Sequence, residues 1–122
     1  MKKLITKALI AFLLFFILSA GLSVAEDNKS SDIDKWKPYF RQADKFYDQG
    51  KYNEAVNSLG KAIEADGNAA APHYMLAMIY EKQGENRKAI SEWETFINLS
   101  SHKDLVKNAR IHLERLRKLT NE

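Results

Sequence analysis

The stretch DQGKYNEAV, Asp48 to Val56, returns in outline as KQGENRKAI, Lys82 to Ile90, and the rest of the chain can be placed from that pair. Gly50 recurs as Gly84 and Ala55 as Ala89, with one and the same interval separating both pairs. That interval also carries Ile63 onto Ile97 and, loosely, Lys61-Ala62-Ile63 onto Thr95-Phe96-Ile97. Glycine adopts positive φ without the penalty other residues meet, so a Gln-Gly pair closing an apolar-periodic segment marks a helix stop. Apolar residues spaced three and four apart on both sides of each glycine give helix, tight turn, helix, twice over.

Working outward, five helices are predicted and no stretch alternates with a period of two for long enough to be a strand. The first runs from about Trp36 to Asp48, tolerates Pro38 in its first turn, and presents Tyr39, Ala43, Phe46 and Tyr47 to a core. The second, from about Tyr52 to Ala65, offers Ala55, Val56, Leu59, Ala62 and Ile63, and Asp66-Gly67-Asn68 breaks it. The third runs from about Ala70 to Gln83 and the fourth from about Asn86 to Leu99, the latter carrying Ala89, Ile90, Trp93, Phe96 and Ile97. The fifth runs from about Lys103 to Leu119, with a stripe of Leu105, Ala109, His112, Leu113, Leu116 and Leu119 that leaves Ile111 outside. Small Ala43, Ala77, Ala55 and Ala89 suit close helix crossings, while Phe46, Tyr80, Leu59 and Trp93 fill the space beside them.

A 34-residue period of this kind resembles the tetratricopeptide repeat. The residues that carry the likeness are Ala43, Phe46, Gly50, Tyr52, Ala55, Leu59 and Ala62, then Leu76, Ala77, Tyr80, Gly84, Ala89, Trp93 and Phe96. The resemblance implies an all-α fold: antiparallel helical hairpins of a short α-solenoid, repeat 1 at 36–69, repeat 2 at 70–103 and a capping helix at 104–119. An amphipathic last helix that covers the preceding hairpin and turns a polar face to water is what a short array requires. Departures from the family pattern carry two expectations. Gln42, where a large apolar residue is usual, implies a partly exposed first helix, and bulky Phe96 is expected to reach onto the fifth helix.

The chain opens with Lys2, Lys3 and Lys7, an apolar run over residues 8–18, and Ser23-Val24-Ala25, which together read as a secretory signal over 1–25. The competing reading is an uncleaved anchor through residues 8–25, a stretch without charge but short for a bilayer span. Residues 26–35 are polar and read as a flexible leader before a helical domain at 36–119. The expected location is therefore periplasmic or secreted, with membrane contact only if the N-terminal segment stays uncut. All 16 acidic residues lie beyond Ala25 against 16 of the 19 basic ones, so the exported part is formally neutral. The pI near 9.1 thus says little about nucleic acid, which is not an expected partner. The absence of cysteine excludes disulfides, thiolate metal sites and N-terminal lipidation on Cys.

No HExxH, phosphate-binding glycine loop or GxSxG elbow occurs, and Glu92 and Glu94 point to different faces of one helix. No catalytic site, cofactor or metal is expected. His73 is assigned to packing and His102 to solvent, while basic Lys107, Arg110, Arg115, Arg117 and Lys118 read as a solvated face of the last helix, with attraction to an acidic partner, an anionic membrane surface or nucleic acid as the competing reading. What the resemblance does imply is an inner face built from the first helix of each hairpin. Its outward residues would be Phe40, Arg41, Asp44 and Tyr47, then Tyr74, Met78 and Glu81, extended by Asn108, His112 and Arg115. Aromatics, Met and a few charges suit an apolar peptide or helix, so the expected function is a protein-interaction module or adaptor. The strip lacks the Lys/Asn arrangement with which some family members hold a peptide carboxylate. Two alternatives stand beside this reading: Tyr47 and Tyr74 pack on each other and bind nothing, or a homodimer completes an array that is one repeat short.

Overall fold

The computed structural model describes residues 34–121. Five helices follow one another as α1 (Lys37–Asp48), α2 (Tyr52–Ala65), α3 (Ala70–Lys82), α4 (Asn86–Leu99) and α5 (Lys103–Thr120). Each packs on its neighbour in the sequence: α1 with α2 and α3 with α4 as hairpins, α2 against α3, and α5 against α4. The predicted all-α array of hairpins with a trailing helix is the fold observed.

Each hairpin turn is closed by its glycine. Gly50 has φ 71° and Gly84 φ 73°, and no other described residue has positive φ. Gly50 N–H bonds to the Tyr47 carbonyl at 2.9 Å and Lys51 N–H to the Phe46 carbonyl at 2.9 Å; Gly84 and Glu85 repeat the pattern on Glu81 (3.1 Å) and Tyr80 (2.8 Å). This paired ending satisfies the last carbonyls of α1 and α3 and turns the chain sharply. A Cβ at either glycine would meet nothing within 4 Å, so the only obstacle to a side chain is the backbone conformation. Gly84→Ala is therefore expected to lower stability by about 1–2 kcal/mol, and Gly84→Asn by less, as measured by urea denaturation.

The core lies in two clusters that meet at Tyr80. Ala43, Ala55, Leu59, Leu76 and Ile79 form the first, and Ala77, Ala89, Trp93, Phe96, Ala109, Leu113 and Leu116 the second. Ala43, Ala55, Ala77 and Ala89 are completely buried, as close crossings need. Two expectations about faces are corrected. Tyr39 is 39% exposed, and Phe40 packs against the first cluster in its place; α1 is rotated so that positions 40, 43, 46 and 47 face inward. Leu105 and Leu119, assigned to the buried stripe of α5, are 41% and 56% exposed. They sit near the two ends of a helix of 18 residues that rests on one of 14, so α4 does not cover them. Phe96 does join the α5 residues Ala109, Leu113 and Leu116, and it also packs on Tyr74 within its own hairpin.

Among the described residues no helix is long and apolar enough to cross a membrane. The expected signal segment at 1–25, the alternative anchor at 8–25 and nearly all of the leader lie outside the described residues.

Candidate functional site

The repeat interval places Phe40, Tyr74 and Asn108 at one level, Asp44, Met78 and His112 at the next, and Tyr47, Glu81 and Arg115 at the third. The structure brings these ten sequence-selected positions together only in part. At the first level lies an apolar groove of about 410 Å³ where the N-terminal ends of α1, α3 and α5 converge. Phe40 and Trp36 form one wall, Tyr74 and Phe96 the other, with the methyls of Ala70 and Ala71 and the side chain of Leu105 between them. Ser100 and His102 supply its polar rim. Trp36 meets Phe40 edge-on with ring centroids 5.5 Å apart, and Tyr74 meets both Trp93 and Phe96 edge-on at 5.1 Å. Edge-to-face contacts of this kind hold aromatic walls in place, so the groove is largely pre-formed.

Phe40 and Tyr74 belong to this groove; the other eight candidates do not. Arg41 lines a separate, more polar cleft of about 450 Å³ with Pro38, Gln42, Lys45, Phe46 and Gln49. Asp44 and Asn108 are exposed, and Met78 is half-buried against the second core cluster. Tyr47 packs on Tyr52 at 5.6 Å and carries the Lys82 ammonium 5.7 Å from its ring centre. The mutual packing of Tyr47 and Tyr74 envisaged from the sequence is not what occurs: Tyr74 turns toward α4, where it meets Trp93 and Phe96 edge-on.

Glu81, His112 and Arg115 form a structural knot at the third level. Trp93 Nε1–H donates to Glu81 Oε1 at 2.6 Å, and Arg115 donates to Oε2 at 2.5 Å. His112 Nδ1 lies 2.8 Å from Oε1 and 3.0 Å from an Arg115 guanidinium nitrogen. The imidazole also lies against the Trp93 ring, with centroids 5.0 Å apart. One carboxylate thereby ties α3 to α4 and to α5. Deeper in the same hairpin, His73 Nδ1–H donates to Glu92 at 2.6 Å, which gives the packing role expected of His73 a hydrogen bond as well.

The residues that sequence reasoning missed are Trp36, Ala70, Ala71, Phe96, Ser100, His102 and Leu105 as groove lining. A signal existed for two of them. Trp36 lies one turn before Phe40, and Leu105 falls one repeat interval after Ala71. Phe96 carries a core assignment from the sequence, without a place in the groove.

No group of three or more His, Cys, Asp or Glu among the described residues could hold a metal ion. Among the described residues two titrations are displaced, and both move further from neutrality. Burial, with Glu92 nearby, pushes the Tyr80 hydroxyl up, and the hydrogen bond that Lys88 donates to Glu85 raises the Lys88 ammonium. Neither becomes an acid or base near pH 7.

Comparison with protein families gives two overlapping matches: one described as TPR repeat over residues 43–84, and one as tetratricopeptide repeat over residues 70–102. Comparison with curated proteins gives no match. The repeat architecture is that of a scaffold for binding protein or peptide. With its glycine turns, buried alanines and trailing helix in place, the chain contains tetratricopeptide repeats over residues 43–102.

Proposed function

We infer that this chain is an adaptor of the cell envelope or secreted space that binds a peptide or helix on the face made by the first helices of its hairpins. The observation that carries the reading is the aromatic groove between α1, α3 and α5, about 410 Å³ in volume. That is room for a pair of large apolar side chains, and few polar groups compete for them. The N-terminal sequence, with its three lysines, apolar run and Ser23-Val24-Ala25, supports the export half of the reading.

Peptides selected from a random library against the full chain are expected to share two large apolar residues. Leu105→Asp, at a position already 41% exposed, is expected to weaken them at least about tenfold by placing a charge in the groove. Arg41→Ala, on the separate surface, is expected to change nothing. Selection without sequence preference, or peptides indifferent to Leu105→Asp, would remove the groove as the binding site.

The rival reading, a dimer that completes the array, has one residue against it. Ile111 takes the repeat position of Ala77, where the two true hairpins carry a buried alanine at the crossing. A helix from a second copy could not approach α5 as α2 approaches α1. Sedimentation at increasing concentration is expected to show a monomer throughout.

A further inference from the structure

Charge is distributed unevenly along the described chain. Residues 34–102 carry nine basic and ten acidic side chains, whereas α5 alone carries six basic and two acidic. Arg115 and Arg117 are held by Glu81 and Glu94. The remaining four, Lys103, Lys107, Arg110 and Lys118, are exposed and pair with nothing among the described residues. At 100° per residue they fall within roughly 80° of the helix circumference and extend over about 22 Å of its length. Glu114 is the single acidic side chain in that row.

The same helix holds most of the uncovered apolar surface. Four large hydrophobic residues are exposed among those described, and three of them, Leu105, Ile111 and Leu119, are on α5. Ile111, 60% exposed, lies directly beside the basic row. Positions that receive the second helix in the true hairpins are altered here: Arg110 takes the repeat position of Leu76, and Glu114 that of Tyr80. A packed helix would bury those charges, so the face is unsuited to a repeat-like protein partner. Ile111 and Leu119 are also two turns apart with charges between them, too sparse for a continuous helix–helix seam.

A straight row of unpaired cations with isolated apolar side chains among them fits a flat anionic surface instead. We propose that the outer face of α5 is a docking site for an anionic lipid bilayer, with Lys103, Lys107, Arg110 and Lys118 at the headgroups and Ile111 inserted between them. The cations act through long-range attraction to the negative leaflet, and the apolar side chain adds shallow burial. This surface is separate from the groove, and the proposal stands whether or not the groove binds peptide.

The test is binding of the full chain to vesicles of phosphatidylcholine, with and without phosphatidylglycerol, at low and high salt. The increment due to the anionic lipid is read relative to the control variant below, because Lys2, Lys3 and Lys7 beside the apolar run at 8–18 are drawn to anionic lipid as well and are common to every variant. The increment is expected to vanish at high salt and to fall about a hundredfold in the variant Lys107→Gln, Arg110→Gln, Lys118→Gln, at about fivefold per charge. A control that removes as many cations elsewhere, Lys45→Gln, Lys61→Gln, Arg87→Gln, is expected to keep it. Equal binding to neutral and anionic vesicles would overturn the proposal, as would an equal loss in the control. Capture of duplex DNA or an acidic polypeptide through the α5 cations, with vesicles ignored, would overturn it as well.

Discussion

Trp93→Ala is expected to remove about 3–5 kcal/mol of folding stability, the largest loss expected from truncating any single side chain of this fold. Trp93 is 1% exposed and is the largest fully buried side chain. Its ring receives Tyr74 at 5.1 Å, Phe96 at 6.2 Å and the His112 imidazole at 5.0 Å, so it touches α3, its own α4 and α5 at once. Alanine would leave a cavity that three helices cannot all move to fill. It would also remove the only indole donor to Glu81, leaving that partly buried carboxylate with two partners in place of three. A helical array of this size has a total stability of roughly 5–10 kcal/mol, so the loss is a large share of the whole. Urea denaturation followed by circular dichroism reads the change in midpoint. Trp93→Phe, which keeps most of the packed area, should recover more than half of it. A loss in Trp93→Ala below about 1 kcal/mol would mean that α5 does not share a core with the second hairpin.

Much of this core was legible in the sequence because repetition multiplies weak signals. A single glycine after an apolar helix is ambiguous. Gly50 and Gly84, with matching alanines at 55 and 89 and matching Gln-Gly turns, fix helix, turn and crossing point together. The face of α1 was less legible. Tyr39, Phe40, Phe46 and Tyr47 are all large and aromatic, and periodicity alone does not say which of two adjacent rings turns inward when one edge of the helix is open to water. The candidate strip suffered from a different limit. The repeat interval finds equivalent positions, but equivalence does not say what the side chain there will do. Phe40 and Tyr74 line a groove, while Glu81 and Arg115, equivalent to Tyr47, close on each other. Long-range pairing of that kind, between a carboxylate on α3 and a guanidinium on α5, depends on fine details of helix placement. No local pattern encodes it.

Glu81 is where that hidden pairing has the greatest consequence. Its side chain is 15% exposed, against 57% for Arg115 and 38% for His112, so the carboxylate is the buried member and its partners reach it from the rim. The three contacts are consequently unequal in value. Arg115 is mostly in water, and its ion pair is expected to contribute under about 1 kcal/mol, so Arg115→Ala should be mild. Glu81→Leu acts differently: it removes the acceptor from a buried indole N–H as well as from His112 and Arg115, at a cost of about 2–3 kcal/mol. Glu81→Gln retains a carbonyl oxygen on the side of Trp93 and His112 but turns an amide toward Arg115, and an intermediate loss of about 1–2 kcal/mol follows. Because the knot joins α5 to the second hairpin and leaves the first untouched, the damage should be local. Amide hydrogen exchange in Glu81→Leu is expected to quicken along α5 well before it quickens in α1 and α2. Uniform acceleration across all five helices would contradict that account, and so would a Glu81→Leu stability equal to that of Arg115→Ala. The same set separates structure from binding. If Glu81, His112 and Arg115 serve the cap and not a ligand, Arg115→Ala should bind groove-selected peptides as the unaltered chain does. A tenfold loss there would return the third level of the strip to the binding site.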